Sequence, residues 1–240
     1  MNQIVVMTGV CGGLGVELAR KFLRSGDTVF GIDIRKNKAV LASFGVPRFK
    51  FLACDLTSEK EIKTLFKKIQ KQAGRMDLLI NNAGYCGPLT RVEDLSLKDF
   101  RKHMQCNLLS AFLMCKYAIP EMLKQKQALI INVSSMAGTR AVPRLMAYSA
   151  SKFGVLALSQ SIAKENLNTG LKCVTVCPGG MNTEMRRDLF GAEDAARQQT
   201  PEFMADMISQ IADEKIQVLS GGHIVIRYGK ITEIAPPPAA

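Results

Sequence analysis

The stretch Thr8-Gly-Val-Cys-Gly-Gly-Leu-Gly15 decides the fold. An apolar run at 3–7 precedes it and reads as a strand. Residues 13–24 follow and read as a helix, with Leu14, Leu18, Phe22 and Leu23 apolar at helical spacing. Glycines between a first strand and a first helix allow a tight turn and let backbone come close to a phosphate. The helix N-terminus then offers free N–H groups to the negative charge. A glycine run alone is weak, but in this position it predicts a nucleotide-binding βαβ unit.

Outward from this unit, strand and helix signals alternate, which predicts a parallel sheet. Strands are expected at 3–7, 28–34, 48–54, 78–81, 128–134, 172–177 and 223–227. Helices are expected at 13–24, at 58–73 with Ser58 as N-cap, at about 97–124, at 146–168 and at 201–212. Pro120 should kink or close the long one. The expected fold class is α/β: a single Rossmann-type doubly wound domain over 1–235, with a mostly parallel seven-stranded sheet and helices on both faces. The tail at 236–240, Pro-Pro-Pro-Ala-Ala, is expected to be disordered.

Composition narrows the class. The chain has 240 residues, 47% of them hydrophobic, which suits one large α/β domain with a sizeable core. No apolar run reaches the roughly 18 residues of a membrane span, and the N-terminus enters an apolar strand with no leader-like segment. A cytoplasmic protein with no membrane partner is expected. Seven cysteines, an odd number without C-x-x-C spacing, read as packed thiols rather than metal ligands. With only His103 and His223 present, a zinc site or a Ser-His-Asp triad is poorly supplied, and no metal is expected. The net charge of +11 suggests an acidic partner or ligand. Its densest run carries Lys60, Lys63, Lys67, Lys68 and Lys71 around inward-facing Ile62, Leu65, Phe66 and Ile69. This reads as a solvated helix face, and no nucleic-acid partner is expected.

Two further features carry chemistry. Tyr148 and Lys152 stand four apart and share one helix face. A lysine ammonium favours the phenolate, so the pair is expected to lower the tyrosine pKa and to exchange a proton with an alcohol or ketone. Asp33, near the end of the second strand, stands where a ribose 2′-hydroxyl would be bound, and its charge would repel a 2′-phosphate. NAD is therefore favoured over NADP, although Arg35 and Lys36 follow closely and could accept a phosphate.

With these residues in place, the sequence resembles a short-chain dehydrogenase/reductase over nearly its whole length, roughly 4–227. The family pattern T-G-x-x-x-G-x-G is met by Thr8, Gly9, Gly13 and Gly15, and N-N-A-G by Asn81, Asn82, Ala83 and Gly84. The adenine-contacting acid is matched by Asp55, Y-x-x-x-K by Tyr148 and Lys152, and P-G-x-x-x-T by Pro178, Gly179 and Thr183. The resemblance implies a catalytic tetrad of Asn107, Ser135, Tyr148 and Lys152. Ser135 would polarise the substrate oxygen, Lys152 would bind the nicotinamide ribose, and Asn107 would hold a water for a proton relay. It also implies that Thr8, Gly9, Gly13, Leu14, Gly15, Asp33, Asp55, Leu56, Asn82, Ala83, Gly84, Tyr148, Lys152, Pro178, Gly179 and Thr183 bind the cofactor. The implied activity is hydride transfer between a nicotinamide cofactor and a small-molecule alcohol or ketone, in a homotetramer or homodimer.

Two departures stand out: the segment at 184–200, where the family carries a flexible substrate lid, is compact and charged, and the last strand lacks the usual closing glycines. The substrate pocket is expected to draw on Tyr85, Met136, Val142, Met185, Leu189 and Phe190. Arg140, Arg144, Arg186 and Arg187 of the same segments read first as surface arginines of a basic protein, although one of them could clamp a carboxylate or phosphate. A 3-oxoacyl-[acyl-carrier-protein] reductase using NADPH is an alternative, to which the basic surface is suited and Asp33 is not. A non-catalytic nucleotide-binding scaffold is an alternative of another class.

Overall fold

The computed structural model describes residues 2–238. Its strands are β1 (Ile4–Thr8), β2 (Thr28–Asp33), β3 (Phe49–Ala53), β4 (Leu78–Asn81), β5 (Ala128–Val133), β6 (Leu171–Pro178), β7 (His223–Arg227) and β8 (Lys230–Ala235). They form one sheet in the order β3-β2-β1-β4-β5-β6-β7-β8. Every neighbouring pair is parallel except β7 and β8. The strand order reverses between β1 and β4, which opens a crevice beyond their C-terminal ends.

The central strands are near-continuous apolar runs because both faces are covered. On one face α1 (Gly13–Arg24) and α9 (Pro201–Ala212) bury Leu18, Phe22 and Ile208 against Val5, Met7 and Ile224. On the other, α3 (Glu59–Ala73) and α5 (Ser110–Met122) bury Ile62, Leu65 and Met114 against Val6, Leu79 and Ile130. Helix α6 (Met146–Glu165) lies on this second face and adds Ile162. Ser58 caps α3 by accepting from Glu61 N.

Among the described residues the sheet has eight strands, not the expected seven. Tyr228 and Gly229 both take positive φ, 55° and 68°, the left-handed pair that a tight hairpin needs, and β8 returns antiparallel to β7. A register shift between Val225 and Ile226 breaks the alternation that would have announced β8. A short helix, α2 (Lys38–Phe44), is capped by Asn37 and closed by left-handed Gly45. The expected helix at 97–124 is interrupted: α4 (Leu97–His103) leads into a π-helical turn, Met104–Leu109, and then α5. Pro120 sits inside the last turn of α5 rather than ending it. Two short helices, α7 (Glu184–Phe190) and α8 (Ala192–Ala196), occupy the segment after β6. Pro237 lies against Gly221, while 239 and 240, the end of the expected tail, lie outside the described residues. Among the described residues, no helix is long and apolar enough to cross a membrane.

Candidate active site

A cleft of about 360 Å³ opens at the C-terminal ends of the strands, where the sheet reverses. The β1–α1 loop forms its floor. Thr8, buried at the end of β1, accepts with Oγ1 from the N–H groups of Asn82 and Ala83, each at 3.0 Å. The Asn82 amide donates back to Thr8 O at 3.0 Å and to Gly9 O at 3.3 Å. The two strand ends are thus stitched together. Gly9 has φ +69°, and a Cβ there would lie 2.9 Å from Ala83 Cα. A Cβ on Gly15 would lie 2.0 Å from Gly9 O. Gly9 and Gly15 therefore serve loop packing, and Gly12 and Gly13 keep the cleft side bare, as a phosphate cradle requires. Leu14 also lines the cleft, whereas Thr8 and Gly15 act from behind it.

Asp33 ends β2 at the cleft wall. Its Oδ2 accepts from Cys11 N and its Oδ1 from Arg35 N, each at 3.0 Å. Each oxygen retains a further lone pair for a ligand hydroxyl. Asp55 accepts from Thr57 N at 2.9 Å and Thr57 Oγ1 at 2.8 Å, a turn that fixes it beside Leu56 at the entry to α3. Asn82, Ala83 and Gly84 from β4, and Pro178, Gly179 and Thr183 after β6, complete the wall. The carboxylate acceptors and the glycine cradle fit a dinucleotide.

At the other end stand Ser135, Tyr148 and Lys152. Ser135 caps a single helical turn, accepting from Ala137 N at 3.1 Å, and lines the cleft with Tyr148. Lys152 is buried; its Nζ donates to Val133 O at 3.0 Å. Electrostatics here correct the sequence expectation for the pair. Burial pushes the Tyr148 phenol well above its ordinary value, the Cys86 and Cys177 thiols beside it add to the rise, and only Ser135 opposes it. Burial likewise pushes Lys152 down to about 8. Desolvation is the largest cause for both groups.

Asn107 does not line this cleft. It is buried in the π-helical turn, where Oδ1 accepts from Tyr85 N at 2.7 Å and Nδ2 donates to Tyr85 O at 2.9 Å and to Ser151 Oγ at 2.8 Å. Of the expected pocket residues, Tyr85 and Met185 reach the cleft. Arg186 pairs with Asp194 at 2.5 Å and stacks on Phe190, 3.8 Å from its ring centre. Arg140 donates to Met136 Sδ, Arg144 to Leu89 O and Arg187 to Asn182 Oδ1. The sequence reading missed Cys54, Thr57, Cys106, Ser110 and Met181 as lining residues. Thr57 was within reach as the neighbour of Leu56. Cys106 and Ser110 depend on the π-helical turn, which sequence periodicity does not signal.

A family model described as short chain dehydrogenase matches residues 3–194. A 3beta-hydroxysteroid dehydrogenase of Mediterraneibacter gnavus is 32% identical over 188 residues, covering 77% of this chain and 68% of that protein. A 2-(R)-hydroxypropyl-CoM dehydrogenase of Xanthobacter autotrophicus is 30% identical over 223 residues, covering 89% of each. In fold, the chain is similar to a 3-ketoacyl-(acyl-carrier-protein) reductase from Brucella melitensis solved with NADH. The TM-score is 0.87 at 20% identity, over 94% of this chain and 96% of that one.

Proposed function

The chain belongs to the short-chain dehydrogenase family, and on that premise we propose that it is an NAD-dependent oxidoreductase acting on an alcohol or ketone. The observation that carries this reading is the meeting of Ser135, Tyr148 and Lys152 at one end of a cleft whose other end is a glycine cradle and an inward aspartate. The nicotinamide group supplies the hydride donor or acceptor when bound. The loop at Gly9–Gly15 and the N-terminus of α1 would hold the pyrophosphate, Asp33 the adenosine ribose, and Asp55 with Leu56 the adenine side. Lys152 would hold the nicotinamide ribose.

The chain's own residues then handle the proton. Ser135 donates to the substrate oxygen and fixes its distance from Tyr148. Tyr148 gives a proton to that oxygen in reduction and takes one in oxidation. Burial keeps the Tyr148 phenol protonated, the form from which it can donate. Asn107 acts on the walls, through Tyr85 and Ser151, rather than on the reacting atoms. The segment at 184–200 serves as the substrate lid within a single catalytic domain. Phe112 on α5 and Phe153 on α6 are 43% and 40% exposed, which supports assembly into a homodimer or homotetramer through these helices. Seven free thiols suit a reducing, cytoplasmic compartment.

Titration with NADH and NADPH, followed by cofactor fluorescence, tests the cofactor assignment. NADH should bind about tenfold tighter or better, and Asp33→Ala should narrow or reverse the ratio. Tighter NADPH binding by the parent chain would refute NAD preference. Turnover surviving in Tyr148→Phe would refute the proton donor.

A further inference from the structure

We infer that His103 is a positioning residue for the substrate side of the cleft: with Asn107, four residues later, it grips Tyr85-Cys86-Gly87 and fixes the Tyr85 ring as the substrate wall. The inference rests on the hydride-transfer reading above.

His103 is 4% exposed and has no part in the proton chemistry. Its Nδ1 lies 2.7 Å from the carbonyl oxygen of Asp99, which can only accept. Nδ1 therefore carries the hydrogen and Nε2 is left bare. That bare nitrogen accepts from Gly87 N at 3.0 Å. Two residues earlier, the Asn107 amide pairs with both the N–H and the C=O of Tyr85, at 2.7 and 2.9 Å. One helical segment thus holds the strand exit at two points, with Cys86 between them, beside Tyr148 and Lys152.

The ring of Tyr85 is held as well. It packs on the His103 imidazole at 5.0 Å between centres, and Lys102 Nζ stands 4.0 Å from its centre. There is little slack at Gly87: a Cβ there would lie 3.0 Å from Tyr85 Oη and 3.1 Å from His103 Cε1. Tyr85 lines the cleft together with Ser135 and Tyr148. A wall set this way should govern how a ketone sits against the proton donor, and should be indifferent to the adenosine end of the cleft.

The test compares His103→Leu, His103→Gln and Gly87→Ala with the parent, by hydrogen exchange at residues 84–90, NADH titration, and kinetics on the ketone best turned over from a panel of cyclic and linear ketones. His103→Leu leaves Gly87 N–H without its acceptor, so exchange should quicken and the ketone KM should rise about tenfold, with NADH affinity and kcat within about twofold. His103→Gln, whose amide oxygen can accept from Gly87, should restore both. Gly87→Ala should raise KM with His103 intact, by displacing the Tyr85 ring. Unchanged KM in both His103→Leu and Gly87→Ala would overturn the inference. So would a KM rise matched by an equal loss of NADH affinity, since that marks general damage. No turnover by the parent chain on any ketone or alcohol would sink the hydride-transfer reading and this role with it; normal kinetics in the variants would sink this role alone.

Discussion

Lys152 Nζ stands 5.8 Å from the centre of the Tyr148 ring, and the hydrogen bond it makes goes to the Val133 carbonyl instead. The ammonium is thus held near the phenol by a backbone acceptor, inside a site that disfavours its charge. Its pKa falls from 10.5 to about 8. Between those values the unfolded chain binds more protons at this residue than the folded one does, so stability should rise with pH from about 8 upward. Tyr148 acts in the opposite sense above its ordinary value of 10, because the folded state keeps the phenol proton that the unfolded state loses. The gain is therefore confined to a window of about 8 to 10. Lys152→Met should be more stable than the parent at pH 7, by about 1–3 kcal/mol, and the difference should shrink by pH 9.5. The same variant should lose turnover by about a hundredfold or more. Urea melts at the two pH values check the first claim. A parent that is the more stable of the two at pH 7 would show that the buried charge is offset by its contacts.

The glycines of the β1–α1 loop divide by what surrounds them. A methyl on Gly15 would meet the Gly9 carbonyl oxygen at 2.0 Å, an overlap that only backbone movement can relieve. A methyl on Gly12 would meet the same oxygen at 3.5 Å, an ordinary contact, and would project at the cleft. Gly15→Ala should therefore cost about 3 kcal/mol or more of folding stability. Gly12→Ala should cost about 1 kcal/mol or less, the loss of a glycine at an N-cap, yet weaken NADH binding by about tenfold. Denaturation paired with cofactor titration separates the two. Equal destabilisation by both substitutions would mean that the loop is a packing unit throughout, with no bare cradle.

This contrast also marks how far sequence reaches. The loop, Asp33, the strand–helix alternation and the Tyr148–Lys152 pair were all legible, because each rests on local spacing that backbone geometry enforces. The parts that were not legible depend on interactions across the fold. Strand β8 pairs through a bulged register and a turn whose first residue is tyrosine, not glycine or asparagine. The π-helical turn at Met104–Leu109 leaves the apolar pattern of its helix nearly intact, while rotating Cys106 and Ser110 to the cleft and Asn107 away from it. The pKa balance of Tyr148 and Lys152 could not be read from their spacing, since burial, which only the folded chain creates, decides its sign.

The compact, charged segment after β6 is joined by one ion pair that ties its two helices. Arg186, on α7, reaches Asp194, on α8, at 2.5 Å, and its guanidinium covers the Phe190 ring at 3.8 Å. Met185 and Glu184, on the same α7, face the cleft, so this clasp bears on the substrate entrance. The Arg186 hydrogen bond holds the Asp194 carboxyl below its ordinary value. The clasp should therefore persist above the usual carboxylate range and open only as pH falls through that lowered value. Asp194→Asn removes the charge and keeps the size. It should raise the KM of the substrate by about threefold to tenfold and speed proteolysis at 184–200, with NADH affinity unchanged. High salt should loosen the parent in the same direction and leave the variant nearly unaffected, because screening acts on the pair that the variant no longer has. A KM that stays constant in Asp194→Asn, at low and at high salt, would show that these helices do not gate the cleft.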